Sequence, residues 1–234
     1  MRHILLLPAF LLFAPSVALS QSTAAYPAAT GADTARFADE IAEFLKSDRL
    51  NPPRAGGVVF VGSSSIRMWP HLAADFPGEN VIQRGFGGSE LSDVVYRAPQ
   101  IVIPYKPRLI VLYAGDNDLA AGRTPEEILS RFESFVSLIH DTLPRTGIVF
   151  VSIKPSWSRV SLLDKMKQAN DLVRHYIAGR RGLGYVDVFT PMLGADGKPR
   201  MDLLVADSLH MNEMGYSIWR RRLMPIVTSP AQSR

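Results

Sequence analysis

Val58-Val59-Phe60-Val61-Gly62-Ser63-Ser64-Ser65-Ile66-Arg67 joins a continuous apolar run to one glycine and three hydroxyls. Four consecutive β-branched or aromatic residues, bounded by Gly56-Gly57 and Gly62, have the pattern of a strand buried on both faces. Similar runs recur at Asn80 to Ile82, at Leu109 to Tyr113, at Ile148 to Val151 and at Tyr185 to Val188. Helical periodicity separates them. Ile128, Phe132, Phe135 and Ile139 mark one apolar face before the fourth run, and Leu162, Met166, Val173 and Ile177 mark another after it. Upstream, Thr34 is placed to cap a helix carrying Phe37, Ile41, Phe44 and Leu45 and ending before Asn51-Pro52-Pro53. Strands alternating with helices imply right-handed parallel crossovers. The expected fold is therefore a single-domain three-layer α/β/α sandwich with a mainly parallel five-stranded sheet.

Composition agrees with one domain. The 234 residues are 47% hydrophobic and 21% charged, ordinary globular usage that argues against a disordered or multi-pass membrane chain. With no cysteine there is no disulfide framework, thiolate metal site or cysteine nucleophile. The net charge of +4 is spread without blocks of like sign, which speaks against a nucleic-acid partner.

Arg2 and His3 precede an apolar run from Ile4 to Leu19, with small residues at Ala18 and Ser20. This is the pattern of a signal peptide over residues 1–20 cleaved after Ser20, and cleavage removes the charge of Arg2. Pro8 and Pro15 interrupt the run, and it is shorter than the ~20 residues of a spanning helix, so no stable membrane anchor is expected. Residues 21–33 are rich in Ala, Thr, Ser and Pro and form a flexible tether, residues 34–228 the domain, and residues 229–234 a tail. The expected location is periplasmic or secreted.

In open parallel sheets ligands bind beyond the carboxyl ends of the strands. Four polar segments fall there. Ser63, Ser64 and Ser65 sit on a turn opening a helix, where negative charge is favoured, although a serine is also a common N-cap. Gln83-Arg84-Gly85-Phe86-Gly87-Gly88-Ser89-Glu90 is either a plain glycine-rich turn or a loop whose N–H groups approach a ligand oxygen, and it lacks the Gly-Lys-Ser/Thr of a phosphate loop. Ala114-Gly115-Asp116-Asn117-Asp118 is either a turn or the source of an amide for an oxyanion. Asp207-Ser208-Leu209-His210 puts a carboxylate and an imidazole three residues apart, so the carboxylate can fix the ring tautomer. Together they supply a nucleophile, a base, an orienting group and oxyanion donors at one sheet edge.

These segments resemble, in order, the motif blocks of the SGNH or GDSL-type serine esterases and lipases, over about Val58 to Trp219. The resemblance implies an SGNH-hydrolase-like, flavodoxin-like fold. By position it implies Ser64 as nucleophile, Asp207 and His210 as its triad partners, and an oxyanion hole formed by Ser64, Gly88 and Asn117. The family's Gly-Asp-Ser-Leu is here Gly62-Ser63-Ser64-Ser65, so both neighbours of Ser64 depart from the pattern. No metal or organic cofactor is implied. The expected substrate is a small-molecule, lipid or acetylated-sugar ester, with short or single-chain acyl groups. A carbohydrate O-deacetylase and a non-catalytic binding domain are the alternatives, and a nucleotide-binding protein would need phosphate-cradling glycines where the serines stand. Of the other histidines, His140 and His175 lie on amphipathic helices and His71 alone could reach the site. Trp69 suits the core, and Arg220, Arg221 and Arg222 a solvated face.

Overall fold

The computed structural model describes residues 35–229, so the signal-peptide and tether assignments, Thr34 and residues 230–234 lie outside the described residues. In chain order the elements are α1 (Ala38–Leu50), β1 (Val58–Gly62), α2 (Ser64–Arg67), α3 (Leu72–Asp75), β2 (Val81–Gly85) and α4 (Leu91–Ile101). They continue with β3 (Leu109–Tyr113), α5 (Asp116–Ala120), α6 (Pro125–Thr142), β4 (Gly147–Val151), α7 (Leu163–Ile177), β5 (Leu183–Val186) and α8 (Glu213–Val227). Short 3₁₀ turns include Trp157–Leu162, just before α7.

The sheet order is β2-β1-β3-β4-β5, and every pairing is parallel. The sandwich architecture is as the sequence predicts. All five residues of β1 are buried because alternate side chains enter two separate cores. Val59 and Val61, with Ile110, Leu112, Ile148 and Phe150, pack under α1, α4, α6 and α7. Val58 and Phe60, with Val111, Tyr113, Val149 and Val151, pack under Trp69, Leu72 and α8. Trp69 is core, 1% exposed and edge-on to Phe60 and Trp219.

Two boundaries differ from the sequence expectation. Gln83, Arg84 and Gly85 belong to β2, not to the following loop, because Arg84 lies over Phe44 and Tyr105 and ion-pairs with Asp48 of α1. That buried pairing lets a charged residue continue a strand. The last strand begins at Leu183 and ends at Val186, two residues earlier than its apolar run. Val188 and Phe189 leave the ladder because their N–H groups bond to the Ser152 hydroxyl instead.

Gly62 ends β1 with φ 140°, and a Cβ there would lie 1.8 Å from the Tyr113 carbonyl oxygen. Only glycine allows β1 and β3 to close so tightly just before the turn that carries Ser64.

Candidate active site

Ser64 is the first residue of α2, so its backbone N–H has no acceptor within the helix. Ser63 is the N-cap, yet its hydroxyl makes no capping bond and is buried without a hydrogen-bond partner among the described residues. Capping therefore does not account for the three serines. Ser65 is buried as well, and its carbonyl accepts from the Tyr216 hydroxyl at 3.0 Å, tying α2 to α8.

Only Ser64 of the three meets an imidazole. Its Oγ lies 2.9 Å from His210 Nε2, and His210 Nδ1 lies 2.6 Å from Asp207 Oδ2. An ionised carboxylate only accepts, so Nδ1 carries the proton and Nε2 is left to accept from the Ser64 hydroxyl. Asp207 Oδ1 accepts from the N–H groups of Leu209 and His210, both at 2.9 Å. Although burial pushes its carboxyl up, the hydrogen bonds from the His210 ring and these two N–H groups hold it down at about 2. The turn is closed by Ser208, whose φ of 59° is unusual for a side-chain-bearing residue and whose carbonyl accepts from Ser158 N–H at 3.1 Å.

Gly88 has φ 80°, and its carbonyl accepts from Arg36 at 3.0 Å. Beside it, Asn117 on α5 donates from Nδ2 to the Ser89 carbonyl at 3.0 Å and accepts at Oδ1 from Arg159 Nη2 at 2.8 Å. The next residue, Asp118, is fully buried and accepts Leu91 N–H on both oxygens at 3.1 Å and Arg131 at 2.6 Å. Burial pushes its carboxyl up to about 6 despite these donors. Asp118 thereby anchors the N-terminus of α4 against α5 and fixes the loop that carries Gly88. Gly115 has φ 119°, and a Cβ there would meet Ile153 at 2.6 Å, so this turn also requires glycine.

The five residues singled out from the sequence are thus joined by two short networks, one through Ser64, His210 and Asp207 and one through Asn117 and the Gly88-Ser89 loop. Two neighbours were not foreseen. Arg159 binds Asn117, and the ammonium of Lys154, 1% exposed, donates to the Leu209 carbonyl at 2.6 Å. Both follow β4, so their place at the catalytic edge was the one available signal. The other histidines stand apart. His140 and His175 bond to the carbonyls of Thr146 and Asp171, and His71 lines a groove with Trp69, Glu213 and Arg220 that includes neither Ser64 nor His210. Among the described residues no group of three or more His, Asp or Glu is placed to hold a metal ion, and no helix is long and apolar enough to cross a membrane.

A sequence model of the GDSL-like lipase/acylhydrolase family matches residues 53–218. The chain belongs to this family. As a GDSL-like acylhydrolase it is a hydrolase of esters. It is 25% identical over 169 residues to the human platelet-activating factor acetylhydrolase IB subunit alpha1, covering 68% of this chain and 70% of that one. Among solved structures, a GDSL-like lipase from Bacteroides thetaiotaomicron superposes with a TM-score of 0.69 at 20% identity, covering 82% of this chain and 98% of the other. A variant of an acetylxylan esterase from Geobacillus stearothermophilus superposes with a TM-score of 0.57 at 19% identity, covering 77% and 99%. These two likenesses establish the shared GDSL fold.

Proposed function

We propose that this GDSL-like hydrolase cleaves acetyl and other short acyl esters through a Ser64 acyl-enzyme. The observation that carries the reading is the continuous chain Ser64 Oγ, His210 Nε2, His210 Nδ1, Asp207 Oδ2, with links of 2.9 and 2.6 Å. Ser64 Oγ attacks the ester carbonyl carbon while His210 Nε2 takes its proton, and Asp207 balances the imidazolium. The carbonyl oxygen becomes an oxyanion and is met by the N–H of Ser64, the N–H of Gly88 and the Asn117 amide. As the C–O bond breaks, His210 returns the proton to the departing alcohol. Water then attacks the acyl carbon as His210 Nε2 takes its proton; the bond to Ser64 Oγ breaks, the carboxylic acid leaves, and the imidazole returns the proton to Ser64 Oγ.

The preference for acetyl is supported by two similar proteins, one named for acetylhydrolysis and the other an acetylxylan esterase. The second favours an acetylated carbohydrate as the alternative to a lipid alcohol. The apolar leader at residues 4–19 supports export of the enzyme, so that it meets such substrates outside the cytoplasm.

The test is hydrolysis of p-nitrophenyl acetate, butyrate, octanoate and laurate by the purified chain, with Ser64→Ala in parallel. The expected result is turnover that falls with chain length and is lost in the variant. Acetylated xylan and an acetylated phospholipid then distinguish the alcohols. A folded chain that hydrolyses none of these esters, and resists labelling by a fluorophosphonate, leaves only a binding role.

A further inference from the structure

Asn117 is a candidate oxyanion donor only if its amide presents nitrogen, not oxygen, to the substrate. Nothing in α5 itself decides this, because the two ends of an amide are nearly equal in size. Its two outside contacts do. Arginine has donors and no acceptor, so the atom at 2.8 Å from Arg159 Nη2 must be oxygen. The Ser89 carbonyl only accepts, so the atom at 3.0 Å from it must be the NH₂. One N–H is used on Ser89, and the second is the donor that the proposed oxyanion role of Asn117 calls on.

Arg159 is itself held. It sits in the Trp157–Leu162 turn with non-helical φ −125° and ψ 27°, and its Nη1 is 2.9 Å from Asp116 Oδ2. The Asp116 side chain, with 4% of its surface exposed, in turn accepts the Asn117 backbone N–H at 3.1 Å. Asp116, Asn117 and Arg159 therefore form a closed ring of contacts. The same turn reaches the other half of the site, through Ser158 N–H on the Ser208 carbonyl.

We infer that Arg159 is a positioning residue for the oxyanion hole, locking the Asn117 amide with its NH₂ toward the substrate and polarising it as a donor. This rests on the proposed role of Asn117. A guanidinium on the amide oxygen draws electron density from the nitrogen, making its N–H a stronger donor. Without Arg159 the Ser89 carbonyl alone orients the amide, which loses its second restraint and its polarisation as a donor.

The experiment is a double-mutant cycle on p-nitrophenyl acetate hydrolysis, with Asn117→Ala, Arg159→Met and the double variant, each checked for native melting and circular dichroism. Loss of one oxyanion donor typically costs about 10²- to 10³-fold. The inference expects Arg159→Met to lower kcat by about 10- to 10²-fold with KM changed less than about twofold. In the Asn117→Ala background the same substitution should cost less than about twofold, since its target is gone. Arg159→Lys, which keeps a cationic donor, should recover part of kcat and guards against a variant that merely fails to fold.

Equal losses in both backgrounds would overturn the inference, because Arg159 would then act without Asn117. A rise in KM at constant kcat would overturn it too, by assigning Arg159 to substrate binding. If Asn117→Ala alone turns over like the parent while Ser64→Ala is inactive, the oxyanion role of Asn117 fails and this inference with it. Inactivity of the parent chain identifies failure of the hydrolase reading instead.

Discussion

The buried ammonium of Lys154 donates at 2.6 Å to the carbonyl of Leu209, the residue between the Asp207-Ser208 turn and His210. A cation from the end of β4 thus props the segment on which the imidazole rides. Asp116, Arg159 and Asp207 are the charged groups that act on it, and burial dominates, pushing its pKa from 10.5 down to about 8. Below pH 8 the amine is charged in both folded and unfolded chains, and burying it costs stability. From pH 8 to 10.5 the folded chain releases the proton while the unfolded chain keeps it, so stability rises with pH. Relative to Lys154→Met, the native chain should gain on the order of 3 kcal/mol across that window. Urea denaturation at pH 7.5, 9 and 10.5 is the check, and a pH-independent difference would contradict it.

Asp207 bears on turnover more than on the fold. Replacing it with Asn allows the side chain to donate to the ring and favours the wrong His210 tautomer, so Asp207→Asn should lower kcat by about 10⁴-fold, with a modestly lower melting temperature at neutral pH because the charge-assisted bonds from His210 and Leu209 are weakened. Because its folded pKa lies at about 2, below the usual 3.8, its stabilising contribution is present above pH 3.8 and is lost as pH falls through 2. Activity and thermal melts of the variant between pH 2 and 7 measure both effects, and a fully active variant would remove Asp207 from the relay.

Ser63 and Ser64 are adjacent in sequence and opposite in consequence. The Ser63 hydroxyl is buried with no hydrogen-bond partner among the described residues, so Ser63→Ala removes an unpaid desolvation cost. Stability should hold or rise by up to about 1 kcal/mol with kcat within about threefold of the parent. Ser64→Ala should be inert. Calorimetry with esterase assay separates the two, and an inactive Ser63→Ala would assign that hydroxyl a role.

Gly62 and Gly56 both have positive φ, but their surroundings differ. Gly56 has open space around a virtual Cβ, whereas Gly62 would press one to 1.8 Å from Tyr113 oxygen. Gly56→Ala should cost only the backbone strain of about 1–2 kcal/mol. Gly62→Ala should cost more than about 4 kcal/mol or prevent soluble expression, since the obstruction is backbone that cannot step aside. Chemical denaturation of the two proteins tests the contrast, and similar midpoints would refute it.

Much of the fold is legible along the chain because strands buried on both faces need apolar runs, and helices between them need a 3.6-residue stripe. Val58–Val61 and Leu109–Tyr113 satisfy the first requirement with no long-range information. The boundaries of β2 and β5 were less legible. Arg84 continues a strand because Asp48, 36 residues away, neutralises it, and Val188 leaves one because of the Ser152 hydroxyl.

The same division runs through the site. Ser64, Gly88 and Asn117 lie in short motifs just after β1, β2 and β3, and Asp207 and His210 in the segment between β5 and α8, so the sequence by itself pointed to the residues that gather at one edge. The glycine at 62 is likewise written in the sequence, since a Cβ there would meet the Tyr113 carbonyl oxygen. What only the tertiary structure decided is orientation: which serine meets the imidazole, which end of the Asn117 amide faces outward, and what holds the Asp207–His210 turn. Arg159 and Lys154 settle the last two from positions 42 and 55 residues distant from their partners. A lone basic residue after β4 has the same local pattern whether it is solvated or buried. Only packing, which removes the water that would otherwise satisfy these cations, compels them to bond to the amide and the carbonyl that shape the site.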